Sequence, residues 1–167
     1  MGDVFSKNGK YAEGKSPKIR IIQEDERMVS VYDVDALKLV RATAIKLEEM
    51  KLEAPKWVGN VKSGAHRQRL PQDEKFWFMR CASILRKAYL TPQIGVSRLR
   101  THYGGRKERG VKPEKHSRAG GNMIRKAMQT LEKAGLLSKS KKGREITGKG
   151  KSLLDSAAME VSRAQVA

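Results

Sequence analysis

Residues 74–90, EKFWFMRCASILRKAYL, constrain the fold more than any other stretch. At helical spacing Trp77, Cys81, Ile84, Leu85, Ala88 and Tyr89 form one broad apolar arc. Lys75, Arg80, Ser83, Arg86 and Lys87 occupy the other side, with Phe76 and Met79 among them. An arc that wide has to be covered by other elements, so this segment is predicted to be a core helix whose back is a basic stripe. Asp73 stands where an N-cap belongs, and Pro92 lies just past the far end.

The remaining elements follow from the same rules. Asp35 is predicted to cap a helix running to about Met50, with Leu37, Val40, Ala44 and Leu47 at helical spacing. Pro55 then opens a short turn through Trp57, Val58 and Val61, and residues 62–72 (KSGAHRQRLPQ) read as a basic loop. Ile94, Val96 and Leu99 indicate a short helix ending near His102. Residues 103–121 hold five glycines, one proline and many cations, and are expected to be an irregular loop. Asn122 is predicted to cap a helix to about Ala134, with Met123, Ile124, Ala127, Met128 and Leu131 on one face. Gly135 is placed to end it in the left-handed conformation. Leu136–Ser138 and Arg144–Ile146 flank a turn at 140–143 and form a small hairpin, after which Thr147 caps a last helix containing Leu153, Leu154 and Ala157. The expected fold is mainly α, a helical bundle around a central amphipathic helix, winged-helix-like with one small β-hairpin.

Residues 1–27 show neither helical nor strand periodicity and are expected to be a disordered N-terminal extension. Gln23-Glu24-Asp25 can be encoded by a purine run of the bacterial ribosome-binding type, just upstream of a Met28 codon. We therefore expect translation to start at Met28; an intact mass that includes residues 1–27 would refute this. A single domain over 28–160 and a flexible tail over 161–167 complete the expected organisation.

The charge is as informative as the pattern. The 167 residues carry 36 Lys and Arg against 18 Asp and Glu, a formal net charge of +18. Residues 56–151 hold 25 of those cations and only 6 of the acids, so the excess sits wholly in the folded middle. Charge kept only for solubility has no reason to concentrate there; a binding surface for a polyanion does. No stretch approaches the ~20 apolar residues of a membrane span, and no basic helix has a lipid-type face of Trp, Phe and Leu. The expectation is a soluble, intracellular protein that binds nucleic acid.

Catalytic apparatus is not legible. His66, His102 and His116 share no metal-ligand spacing, and one cysteine excludes a disulfide framework. Cys81 falls in the apolar arc and reads as a small buried hydrophobe. No nucleophile elbow, ordered Ser-His-Asp set or phosphate-loop lysine occurs. Asp73-Glu74 is better explained by capping and the helix dipole than by acid–base work. No cofactor and no small-molecule substrate are expected. Residues 98–118 carry Arg98, Arg100, Arg106, Lys107, Arg109, Lys112, Lys115 and Arg118 against two acids. On a glycine-rich segment such cations can follow a folded phosphate backbone closely. Trp57 and Tyr103 suit either base stacking or packing.

From Val31 to about Ala158 the chain resembles small-subunit ribosomal protein nineteen of the archaeal and eukaryotic type. The matching pieces are Asp33-Val34, Pro55-x-Trp57-Val58 with Val61-Lys62, and Phe76-Trp77-Phe78-x-Arg80-x-Ala82-Ser83-x-x-Arg86-x-x-Tyr89. Tyr103-Gly104-Gly105-Arg106, Gly110, Pro113, Ser117-Arg118, Arg125, Gln129-x-Leu131-Glu132, Gly135-Leu136 and Thr147-x-x-Gly150 continue it in order. The resemblance implies a structural role in the head of the small subunit, bound to ribosomal RNA and beside neighbouring ribosomal proteins, a part in subunit maturation, and no catalysis. It implies RNA contact at Trp57, Lys62, Arg80, Ser83, Arg86, Arg106, Arg118 and Arg125. Lys87, Arg98, Arg100, Lys107, Arg109 and Lys115 join that set from the charge pattern. Gly120-Gly121 departs from the small polar pair of the family pattern, and residues 1–27 have no counterpart in it.

A winged-helix DNA-binding regulator is the competing reading, with helix 122–134 in the major groove and the hairpin as wing. It calls for cations on one recognition helix and its wing, whereas here they run over several elements. A small RNA-modifying enzyme lacks any catalytic constellation.

Overall fold

A computed structural model describes residues 29–166. Its elements are α1 (Ala36–Glu49), α2 (Phe76–Leu90), α3 (Val96–His102), β1 (Gly105–Arg109), β2 (Lys112–Ser117), α4 (Gly121–Lys133), β3 (Leu137–Ser140), β4 (Gly143–Ile146) and α5 (Gly148–Val166). Residues 1–27, and with them the extension and the Met28 start, lie outside the described residues.

Helix α2 is the hub, packed against α1, α4, α5 and β4. Trp77, Cys81, Ile84, Leu85 and Ala88 are buried, as the arc requires. Its start differs from expectation. Phe76 is the first helical residue and Lys75 the cap, without a side-chain bond. The Asp73 main-chain carbonyl accepts the Phe76 N–H (3.1 Å), which leaves the Asp73 carboxylate free of capping.

Helix α1 is capped as predicted: the Asp35 carboxylate accepts the Lys38 N–H (3.1 Å). Its buried face is Leu39, Thr43, Ala44 and Leu47, while Leu37 is 68% exposed. Thr43 escapes a reading by hydropathy because it is polar. Its hydroxyl donates to the Leu39 carbonyl (2.7 Å) and so enters the core satisfied.

The segment 103–121 is not an irregular loop. It forms an antiparallel hairpin, β1 on β2, with a bulge between Lys107 and Arg109 and Gly110 at positive φ in the turn. The strands escape detection because both faces carry charge, so there is no period-two alternation; the ladder is made by main-chain groups that any side chain permits. Among the described residues two hairpins are therefore present, where one was expected.

The cap of helix α4 stands two residues earlier than predicted, at Gly120 with Gly121 the first helical residue, and Asn122 accepts a bond from Arg125 instead (2.8 Å). A Cβ at Gly120 would stand 3.2 Å from the Ser63 carbonyl oxygen, and one at Gly121 would stand 3.0 Å from Arg100 Cδ. The departure from the family pattern is thus a place where two neighbours crowd the main chain. The far end matches prediction: Gly135 has φ +73°, and the Leu136 N–H closes back on the Leu131 carbonyl (3.0 Å).

Strands β3 and β4 form the predicted hairpin, Leu137 opposite Ile146, and Ile94 bridges to Arg144 on its free edge. Thr147 Oγ1 accepts the Gly150 N–H (3.3 Å) at the start of α5. That helix continues to Val166 and buries Val161, so the boundary drawn at 160 falls inside it. The order α2, bridge at Ile94, α3, α4, β3–β4 is a winged-helix arrangement, with β1–β2 inserted between α3 and α4 and with α1 and α5 packed on α2.

Candidate nucleic-acid interface

The outward side of α2 is built around Arg80. Its guanidinium is half-buried, 4.2 Å from the Tyr103 ring centroid and 5.2 Å from that of Phe76. Burial holds the Arg80 pKa below the usual arginine range and the Tyr103 pKa above the usual tyrosine range. Neither shift changes a charge near neutrality. The Tyr103 hydroxyl shares a hydrogen bond with Ser83 Oγ (2.8 Å). Arg80 and Ser83 thus fasten Tyr103, the residue that leads into β1, to the face of the central helix. Cys81 lies on the inward side, its thiol pushed up to about 12 by burial, and packs as a hydrophobe.

The root of the first hairpin is locked from a second direction. Gly64 bridges to Ala119, and the Gly120 N–H donates to the Ser63 carbonyl (2.9 Å). The His66 ring lies against main chain on both sides: a Cβ at Gly64 would stand 2.8 Å from it, and one at Gly105 would stand 3.0 Å from it. A Cβ at Gly104 would meet the His116 ring at 2.8 Å, so the glycine pair is where two distant histidines are brought to the same strand end. Burial, then the charges of Arg67, His116 and Arg80, hold the His66 pKa below its ordinary value. Arg100 completes the lock, its Nε donating to the Ala119 carbonyl (3.1 Å).

Beyond the root the hairpin is bare. Every residue from Arg106 to His116 is exposed. The register places cation opposite cation at Lys107↔Lys115 and Arg109↔Lys112, and Arg106 opposite His116. Like charges directly opposite one another oppose pairing. Internal relief is slight: Arg106 pairs with Glu114 (3.0 Å) and Arg109 Nε donates to the Pro113 carbonyl (2.9 Å).

Between residues 63–73, the first turn of α2 and β1 lies an open cleft of about 660 Å³. Arg67, Arg69, Arg80 and Arg106 border it together with Leu70, Pro71 and Phe76, and Gln68 ties down Glu108. Arg67 and Arg69 were not singled out from the sequence, and His66 was weighed there as a metal ligand. The signal was present in the basic run at 66–69, but nothing in it indicated that the run folds back onto α2.

The other predicted residues are more dispersed. Lys62 and Arg118 are exposed on the two segments that meet at the hairpin root, and Arg98 is exposed on α3. Lys87 follows Ser83 one turn on along α2, and Arg86 is half-buried there, its Nε without a hydrogen-bond partner among the described residues. Arg125 is exposed on α4. Trp57 packs edge-on against Trp77 (centroids 6.2 Å apart) and borders a separate cleft with Lys126 and Lys133. It is not brought to the Arg80 cleft.

The family model described as ribosomal protein S19e matches residues 30–164. Small ribosomal subunit protein eS19 of Aeropyrum pernix is 45% identical over 138 residues, covering 80% of this chain and 90% of that protein. Protein eS19A of Schizosaccharomyces pombe is 43% identical over 129 residues, covering 76% and 90%. Protein eS19 of Haloarcula marismortui is 40% identical over 137 residues, covering 78% and 90%.

Proposed function

The chain belongs to the ribosomal protein S19e family, and from that premise we propose that the Arg80 cleft, the hairpin β1–β2 and the outward side of α2 together grip ribosomal RNA. The protein is a structural constituent of the small ribosomal subunit and works on the ribosome in the cytoplasm. Its mechanism is charge neutralisation combined with shape recognition, placed in the subunit head and supporting subunit maturation. Its role is to shape RNA and to contact neighbouring ribosomal proteins; no bond is made or broken.

The observation that carries this reading is the hairpin. It contributes nothing to the core, its register opposes like charges, and its root is fastened by Tyr103, His66 and Arg100. A polyanion lying along it relieves the repulsion that the protein leaves unrelieved. The winged-helix topology also suits a DNA reader, but the matched relatives are named as ribosomal proteins, which gives that reading no support. Exposed cations lie on the inserted hairpin as well as on α4 and the wing, a spread wider than one recognition helix and its wing.

The test is sedimentation of a native extract at low and raised salt, following this protein by mass spectrometry. Stoichiometric co-migration with small subunits at both salts is expected. Joint replacement of Arg67, Arg69, Arg106 and Lys107 by alanine is expected to strip the protein from subunits at raised salt with its melting curve unchanged. Migration with free protein or DNA would overturn the reading.

A further inference from the structure

The cleft beside Arg80 holds more than a phosphate track requires. A groove for backbone alone needs cations, and it gains nothing from a carboxylate or an exposed apolar floor. This one has both. Leu70, Pro71 and Phe76 line it beside the four arginines, and Leu70 is left 47% exposed. Asp73 lines it too.

The Asp73 carboxylate is free of structural duties. The helix start uses its main-chain carbonyl, and among the described residues its side chain takes part in no hydrogen bond or ion pair. Glu108, the other acid of the cleft, is held by Gln68. A free acceptor therefore borders a space lined by apolar side chains and guanidinium groups. Those are the parts that bind an unstacked base: a platform for its face, an acceptor for its edge and cations for the flanking phosphates.

Carboxylate chemistry narrows the base. A carboxylate only accepts, and its two oxygens match a fork of two parallel N–H donors. Of the four RNA bases, guanine presents such a fork on its Watson–Crick edge, N1–H beside the exocyclic amino group. We propose that this cleft takes one unpaired guanosine of the RNA, with its edge on Asp73, its face on the Leu70–Pro71–Phe76 surface and its phosphates on Arg67, Arg69 and Arg106. The assignment rests on the ribosomal-RNA reading above and specifies what one part of that interface reads.

The experiment uses small subunits purified from cells carrying the wild-type protein, Asp73→Ala or Asp73→Asn. They are probed with kethoxal, which modifies the N1/N2 edge of unpaired guanine. Because Asp73 is exposed, neither substitution threatens the fold. One guanine is expected to be protected in wild-type subunits and to gain at least about fivefold in reactivity with both variants. That is the lower end of what a bidentate base-edge contact discriminates. An unchanged kethoxal pattern overturns the proposal and leaves a phosphate groove. So does a change confined to adenines and cytosines under dimethyl sulfate. If the wild-type protein does not co-migrate with small subunits at all, it is the ribosomal reading that fails.

Discussion

The two hairpins among the described residues, β1–β2 over 105–117 and β3–β4 over 137–146, have opposite purposes. In β3–β4 the strand ends Leu137 and Ile146 face the core, and Arg144 is paired with Glu132 of α4, both largely shielded from solvent. Gly143 is needed there, because its φ is +154° and a Cβ would stand 2.8 Å from the Ile94 carbonyl oxygen. In β1–β2 no residue reaches the core and the charges are left unbalanced. One hairpin completes a fold and the other is supported by it. Where the chain's interior neutralises its own charge, the element serves stability; where it does not, the element awaits a partner.

That contrast can be broken by substitution, and the largest effect falls on the wing. Leu137→Ala removes a buried side chain at the start of β3 and is expected to lower unfolding free energy by about 2–4 kcal/mol in chemical denaturation. A loss under about 1 kcal/mol would mean that β3–β4 is as peripheral as β1–β2. Glu132→Ala leaves the shielded Arg144 without its partner and is expected to cost about 1–3 kcal/mol. Wild-type stability in that variant would show the pair to be incidental.

Stability at the root of the first hairpin should depend on pH. Burial first, then neighbouring cations, hold His66 and His102 below their ordinary value, so the unfolded chain binds protons more readily than the folded one. Stability is therefore full above about pH 6.5, the ordinary histidine value, and falls as pH drops below it. His66→Gln is expected to flatten that decline in melting curves taken from pH 7.5 to 5. A decline equally steep in the variant would remove His66 from the account.

The smallest stability change is expected at the hairpin tip. Joint alanine replacement of Lys107, Arg109, Lys112 and Lys115 should change stability by no more than about 0.5 kcal/mol per site, since all four are exposed and only Arg109 makes a bond within the hairpin, to the Pro113 carbonyl. RNA binding should respond instead, with the slope of log affinity against log salt falling by about 0.7–0.9 for each phosphate that is no longer neutralised. A drop in stability with the salt slope unchanged would make this hairpin a second wing.

Much of the fold was readable because hydrophobic periodicity is a local property. The α2 arc, the buried face of α4, the Gly135 stop and the Thr147 cap depend on residues within a few positions of one another, and each stands where it was expected. Leu37 misled for the same reason: periodicity finds an apolar stripe but not which stripe a neighbour covers, and α2 covers the one through Leu39, Thr43 and Leu47. The basic character of the candidate interface was equally plain, because charge needs no geometry to be counted.

Tertiary structure alone decided what each cation does. Arg80 and Arg100 look like their neighbours in sequence, yet one clasps Tyr103 and the other holds the Ala119 carbonyl, while Arg106 and Lys107 project into solvent. It also decided that 103–121 is a hairpin, since strand pairing without a buried face leaves no mark in hydropathy. The Arg67–Arg69 run meets Arg80 and Arg106 through the bridge at Gly64 and Ala119, 55 positions apart in the chain. Sequence determined composition, periodicity and the local stops. The cleft exists only because distant main-chain segments pack close at glycines, an encounter between remote positions that no local pattern encodes.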